Sequence, residues 1–441
     1  MEEFSKRRAA LANQLQNNSV SILFSAQLQI RNGDAEYPFR QQSDFYYLSG
    51  FPEPEAVLVL SKDDKGDLLF ILFNRTHDLE AEVWTGKRVG QEGACKEYNA
   101  DESHDIQQID NIMPQILANK AIIYQVMGRC TEQDQKIQIW LETAKKRLAT
   151  KQRSELNKIV SAPDTIIDLA PIIHEMRLFK SIEEINNMRK AAEISAQAHL
   201  KLMQQCKPGL FEYQLEAIFN AHCLDQGCRG LAYNSIVAGG NNSCTLHYTS
   251  NDQKLMVGDL VLVDAGGEYN NYAADITRTY PINGKFTQEQ KQIYNLVLQA
   301  QLAGIEQVRP GNLWDSVQNI MLEIIVKGLV ELDIMRGKVK DLIHEQAYKQ
   351  FYMHSSGHWL GMDVHDVGRY KTQGNWRPFE PGMVLTVEPG IYISKYNSKV
   401  DPKWHGIGVR IEDDILVTND GHEVLSASAP KKVAEIESAR N

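Results

Sequence analysis

Val261-Leu262-Val263-Asp264-Ala265-Gly266-Gly267-Glu268-Tyr269-Asn270-Asn271-Tyr272-Ala273-Ala274-Asp275-Ile276-Thr277-Arg278 has the form of a β-hairpin carrying two inward acids. An apolar run enters, Asn270-Asn271 supplies two residues that tolerate positive φ, and the exit segment is again rich in β-formers, the pattern of a tight two-residue turn. Pairing Tyr269 with Tyr272 sets Gly266 against Asp275. Asp264, two places before Gly266, shares its face because strand side chains alternate with period two. The two carboxylates are then diagonal neighbours on backbones roughly 7–8 Å apart. No Lys or Arg lies between them, so they need a cation. Two solvated turn acids are the alternative. Against it, Asp264 closes an apolar run from Leu260 to Val263 that reads as buried, and a buried carboxylate has to be paired or metal-bound.

A chain of 441 residues is too long for one ordinary core and suggests two domains. Its 43% hydrophobic and 24% charged content is that of a folded globular protein. The net charge of −10 argues against a nucleic-acid binder, whose phosphate-neutralising surface makes a chain basic. The mixed charges of Met1 to Arg8 and the short apolar run Val20 to Phe24 do not make a signal peptide, and no stretch has the length of a membrane span. Six cysteines, at 95, 130, 206, 223, 228 and 244, form no C-x-x-C pair, so reduced thiols and a cytoplasmic location are expected.

The fold class reads as α+β: an N-terminal α/β domain over residues 1–173, then a larger α+β domain over 174–441. In the first part Ala56 to Leu60, Leu68 to Phe73 and Ala121 to Val126 are buried strands, and Gln135 to Ala149 has helical spacing. Ala162-Pro163 and Ala170-Pro171 punctuate a linker, with the boundary near Ile173. Beyond it one pattern occurs twice. Ser181 with Glu184 caps a helix that ends at Lys207-Pro208-Gly209, a second helix follows, and strands come next; Thr287 with Gln290 repeats this, with the corner at Arg309-Pro310-Gly311 and a helix through Trp314. Such repetition predicts an internal duplication about a pseudo-twofold axis, with a site at the junction of the halves.

The second round carries the remaining chemistry. Glu388 closes an otherwise uncharged strand at Val387-Glu388-Pro389-Gly390, where proline stops the ladder. In Val409-Arg410-Ile411-Glu412 the alternation puts Arg410 and Glu412 on one face, either as a sheet-edge ion pair or as part of a site. Between helices and strands, the run from His354 to Gly368 holds three histidines, His354, His358 and His365, among glycines, which favours irregular backbone and ligation or acid–base work. Asp264, Asp275, His358, Glu388 and Glu412 together give four carboxylates and one imidazole. This set suits Mn²⁺ and similar divalent ions better than a structural zinc, and its charge balances two of them.

At these residues the sequence resembles the pita-bread metallopeptidases, and within them aminopeptidase P, the Xaa-Pro aminopeptidases. The resemblance rests on Val263-Asp264-Ala265-Gly266, Gly357-His358-Trp359-Leu360-Gly361, Val387-Glu388-Pro389-Gly390-Ile391-Tyr392 and Arg410-Ile411-Glu412-Asp413. It extends to Tyr37 through Phe51, similar to that family's N-terminal domain, and to His174-Glu175-Met176-Arg177 at the domain junction. It implies a catalytic pita-bread domain that removes the N-terminal residue from peptides with proline second. Two divalent metals, Mn²⁺ by expectation, would be held by Asp264, Asp275, His358, Glu388 and Glu412 and share an activated water. Glu388 is implied as the proton shuttle, and His247 (in Leu246-His247-Tyr248) and His365 as groups that bind the peptide and stabilise the oxyanion. His354 belongs to the same surround, and Arg410 would orient Glu412 or another carboxylate. Trp84 matches an aromatic near the active-site entrance, with a core tryptophan as the alternative; the N-terminal domain is expected to help supply the proline floor and the length limit.

The partners implied are peptide substrates and further copies of the chain, as a dimer or tetramer, with neither nucleic acid nor membrane. Prolidase shares the fold and ligands but cleaves only X-Pro dipeptides. A non-catalytic peptide-binding protein of the same fold would be expected to have lost ligands, and a creatinase-like hydrolase would not need the acid set.

Overall fold

The computed structural model describes residues 1–154 and 161–439, which form two compact units, Met1–Met176 and Arg177–Asn441. The first is built on a six-stranded sheet in the order Glu102–Asp105, Leu68–Asn74, Val57–Lys62, Ser19–Phe24, Ile122–Gln125, Thr165–Asp168. Its three central strands pair antiparallel, and the flanking strands join in parallel. Alternate residues such as Val20, Ile22, Val57, Val59, Ile71 and Phe73 bury one face against Met113, Ile137 and Trp140 of two helices.

The proline-marked linker is there only in part: Ala162-Pro163 lies in irregular backbone, but the chain is regular from Thr165 on. Thr165–Asp168 is an edge strand paired in parallel with Ile122–Gln125, and Ala170–Leu178 is a helix. Pro171 sits in that helix's first turn, where the missing N–H has no intrahelical acceptor to lose. Proline therefore opens an element here.

The second unit is α+β and runs twice through one succession of elements. Ile182–Gln205 and Glu212–Asp225 precede the sheet formed by Ile236–Gly239, Leu260–Asp264 and Thr277–Pro281. Gln288–Gln307 and Trp314–Glu331 precede the sheet of Val384–Val387, Asp413–Val417 and His422–Val424, beside the ribbon Gly390–Ile393 with Ile407–Arg410. Both first helices begin with complete capping boxes, Ser181 with Glu184 and Thr287 with Gln290. The two halves meet along one strand. Thr277 Oγ1 donates to Glu412 Oε2 at 2.7 Å, Arg278 Nη1 to the Glu412 carbonyl at 2.6 Å, and Thr279 Oγ1 to the Arg410 carbonyl at 3.0 Å.

Behind the ligand strand lies His199, wholly buried, whose Nε2–H donates to the Ala265 carbonyl at 3.0 Å. Burial, reinforced by Arg278, pushes it down to about 4. In the unfolded chain a histidine titrates near about 6.5. The unfolded state therefore takes up a proton that the native state refuses, so this contribution is complete above pH ~6.5 and is lost as pH falls toward about 4. The whole effect is about 3 kcal/mol. His199→Gln is expected to flatten the fall of melting temperature across that window; an unchanged acid slope would exclude His199 as its cause.

Candidate metal centre and peptide cleft

The hairpin has the register read from its sequence. Tyr269 faces Tyr272, and Asp264 faces Thr277. Bonds from Ala265 N to Ile276 O and from Ala274 N to Gly267 O, both 3.1 Å, carry the ladder between these pairs. Asn270 and Asn271 take φ of 49° and 66°, the positive values of a type I′ turn. Gly266, opposite Asp275, has no room for a side chain: a Cβ there would lie 1.7 Å from the Ala274 carbonyl oxygen. Gly357 is as tightly held, its Cβ position 1.9 Å from the Thr386 oxygen. Close backbone approach thus sets the place of Asp275 and of His358.

Five groups face one cavity of about 720 Å³: Asp264, Asp275, His358, Glu388 and Glu412 all line it. Asp275, His358 and Glu412 converge most closely, each offering a ligand atom within 4.8 Å of the others. His358 Nε2 lies 3.3 Å from Asp275 Oδ2 and 3.9 Å from Glu388 Oε1. Its Nδ1–H donates to the Trp359 carbonyl at 3.0 Å, which turns Nε2 toward the carboxylates. Asp264 joins through two neighbours. Its Oδ2 accepts from Arg410 Nη2 at 2.6 Å and its Oδ1 lies 2.6 Å from the Tyr233 hydroxyl, which is also 2.5 Å from Asp275 Oδ1.

The electrostatics show what this arrangement lacks. Burial pushes the Glu388 carboxyl up to about 7, and Asp275 and Asp264 add to it against the opposing pull of His358 and Arg410. Burial, with Asp275, Glu388 and Asp264, also raises Glu412 well above the carboxylate range. For His358 burial acts downward, but Asp275 and Glu388 outweigh it and hold the imidazole up at about 9. Four buried or partly buried carboxylates share one guanidinium and one charged imidazole, since His354, 3.5 Å from Glu388, stays neutral. A divalent cation supplies the missing charge, and carboxylate oxygens with one imidazole nitrogen are donors that suit it.

The other residues singled out in the sequence fall into two groups. His247, His354, His365 and Arg410 line the same cavity. The His365 ring stands 4.4 Å from that of His358, and the next residue, Asp366, is pinned by Arg177 at 2.6 Å and Lys180 at 3.1 Å. His354 accepts from the Tyr392 hydroxyl at 2.8 Å, and Arg410 Nη1 donates to that hydroxyl at 3.0 Å. Burial keeps His354 neutral, at about 3. Arg410 therefore orients Asp264, with Glu412 held by Thr277 instead. Trp84 belongs to the first unit. At 88% exposure on the helix Leu79–Thr85 it is not a core residue.

Sequence reasoning missed Tyr233, Thr277 and the role of Tyr392, each a hydroxyl whose partners come from distant segments. It also looked to the N-terminal domain for the apolar wall. The second unit has its own, in Trp314, Tyr370 and Trp376, with Trp314 and Tyr370 centroids 4.6 Å apart.

Comparison with known proteins agrees with this architecture. Residues 186–419 match metallopeptidase family M24, and residues 4–124 match the aminopeptidase P N-terminal domain. The chain is 46% identical to Xaa-Pro aminopeptidase of Escherichia coli over 99% of its own length and 97% of that protein's. It is likewise 46% identical to Xaa-Pro aminopeptidase of Haemophilus influenzae, over 100% and 97%. The solved structure of aminopeptidase PepP from Pseudomonas aeruginosa superposes with a TM-score of 0.95 at 46% identity, covering 100% of this chain and 97% of that one. Among the described residues no helix is long and apolar enough to cross a membrane. A duplicated α+β unit with a buried four-carboxylate cleft, matched over more than half the chain, places the protein in metallopeptidase family M24, with an aminopeptidase P N-terminal domain ahead of it.

Proposed function

We propose that the protein is an Xaa-Pro aminopeptidase that hydrolyses the bond between an N-terminal residue and a following proline. The observation that carries this is the meeting of five candidate metal ligands with His247 and His365 in one cavity, in a chain similar over its whole length to Xaa-Pro aminopeptidases. Asp264, Asp275, His358, Glu388 and Glu412 would hold two divalent ions, Mn²⁺ in this proposal, as their oxygen-rich donor set suits. When bound, the ions supply Lewis acidity that activates water and polarises the scissile carbonyl.

The protein's own groups do the rest. Glu388 takes a proton from the attacking water on a carboxylate oxygen and returns it to the leaving proline nitrogen. His247 and His365 hydrogen-bond the peptide and the developing oxyanion. Arg410 keeps Asp264 in place, and Trp314, Tyr370 and Trp376 offer flat apolar faces to a proline ring. A cytoplasmic homo-oligomer, dimer or tetramer, completes the proposal. In its favour, the helix Leu79–Thr85 buries none of its residues and exposes Leu79, Val83 and Trp84, an apolar patch of the kind that subunit contacts cover.

Metal ligands do not separate this reading from prolidase; substrate length does. Mn²⁺-loaded protein is expected to release alanine from Ala-Pro-X tripeptides and to leave Ala-Ala-X uncut, with chelation abolishing the activity. Cleavage of Ala-Pro dipeptide alone would overturn the assignment in favour of prolidase.

A further inference from the structure

His247 sits on a segment that one carboxylate fastens down. Glu212, at the start of the helix Glu212–Asp225, is completely buried. Its Oε1 accepts from Gly239 N at 2.7 Å and Asn242 Nδ2 at 3.1 Å. Its Oε2 accepts from the Tyr248 hydroxyl at 2.8 Å and Gln253 N at 2.9 Å. All four donors lie in the stretch 239–253, which leaves the strand Ile236–Gly239 and carries His247 near its middle. The beginning, middle and end of that stretch are therefore tied to one point. One turn along the helix, Glu216 Oε2 accepts from Asn251 Nδ2 at 3.0 Å, and Asn251 is itself buried with φ of 47°.

This bonding is not that of a helix cap. Glu212 gives none of its four bonds to the free N–H groups of its own helix, which an acid in a first turn ordinarily serves. Among the described residues no side chain hydrogen-bonds the His247 imidazole, so its place is set by the backbone that bears it. We infer that Glu212 is a positioning residue for peptide hydrolysis: it fixes the segment 240–253 so that His247 is presented to the substrate in the cleft. The inference rests on the proposed role of His247. The four acceptor contacts require a carboxylate. A carboxamide keeps the size but replaces one acceptor by a donor, which faces the donors already there.

A double-mutant cycle on the full, Mn²⁺-loaded chain tests this, reading kcat/KM on an Ala-Pro-X tripeptide and Mn²⁺ affinity by calorimetry for the parent, Glu212→Gln, His247→Ala and the double variant. Glu212→Gln is expected to lower kcat/KM by about 10- to 100-fold, as small displacements of a reacting group do. The double variant should then be no worse than His247→Ala alone, with Mn²⁺ affinity within about threefold of the parent throughout. A general loss of structure would instead add to the His247 effect or drag metal affinity down, and either result overturns the inference. A kcat/KM for Glu212→Gln within twofold of the parent, with a large loss in His247→Ala, overturns it while leaving His247 in place. A parental kcat/KM for His247→Ala removes the role of His247 and the inference with it. If Glu212→Gln does not fold, Tyr248→Phe decides by the same cycle: it deletes one of the four bonds, and its loss must again vanish in the His247→Ala background.

Discussion

Glu388→Gln is expected to lose roughly 10²- to 10⁴-fold in kcat/KM toward an Ala-Pro-X tripeptide. In chelator-treated protein, however, the same variant should melt at a higher temperature than the parent. The first effect follows from removing the only carboxylate in the cleft assigned a proton-carrying role. The second follows from charge. Asp264, Asp275, Glu388 and Glu412 are packed around one guanidinium and one charged imidazole; against its burial, His358 holds Asp275 below the usual carboxylate range, but without a cation burial and neighbouring carboxylates destabilise Asp264, Glu388 and Glu412. Neutralising one relieves that repulsion at nearly constant shape. The opposite signs distinguish a site built for a cation from a structural ion network, in which losing a partner lowers stability. Added Mn²⁺ should also raise the parent's melting temperature, because the folded state alone offers the ligands. A Glu388→Gln variant that keeps activity within threefold, or a metal-free form less stable than the parent, would refute this account.

Gly266→Ala tests geometry where Glu388→Gln tests charge. Its Cβ would fall 1.7 Å from the Ala274 oxygen, 2.6 Å from the Ala274 carbon and 3.2 Å from the Asp275 nitrogen. Every one of those atoms is backbone, so no side chain can swing aside; the two strands must part at the rung of Gly266 and Asp275, two residues from Asp264. Overpacking of this kind costs about 1–3 kcal/mol in stability. The activity should fall much further, by about 10²-fold or more, since shifts near 1 Å are enough for that. Mn²⁺ affinity should fall with it. Gly421→Ala, with nothing within 4 Å of its Cβ position, is the control and should leave both quantities at the parent's level. Near-parental metal affinity in Gly266→Ala would show that the hairpin rung does not set the site.

Local chemistry was readable in the sequence where a residue acts through its own segment. Asn270-Asn271 dictates the turn, the turn dictates the register, and the register puts Asp264 and Asp275 on one face. Ser181 with Glu184 and Thr287 with Gln290 announce helices for the same reason. What stayed hidden depends on segments that meet only in the fold. Tyr233 precedes Asp264 by a full loop and strand, and nothing in its surroundings marks it as the hydroxyl between two carboxylates. Arg410 shared a face with Glu412 by strand parity, yet its guanidinium turns to Asp264, a partner from the other half. The prolines near residue 170 misled because their meaning depends on position: in a first helical turn proline begins structure.

The strand Thr277–Pro281 has a consequence for how this unit could be divided. Arg278 belongs to the first half, and its guanidinium meets Asp413 of the second at 2.7 Å with neither group exposed. A chain cut between the halves, in the stretch before Thr287, would strand Arg278 in the first fragment, since Asp413 and the carbonyls of Glu412, Ala429 and Pro430 that it bonds all lie beyond the cut, whereas Asp413 would keep Lys431 at 2.6 Å. The first piece could not fold around that charge on its own, and each piece carries only part of the proposed ligand set. Joining both halves in one chain keeps that cover in place, and the cleft draws its lining from both of them.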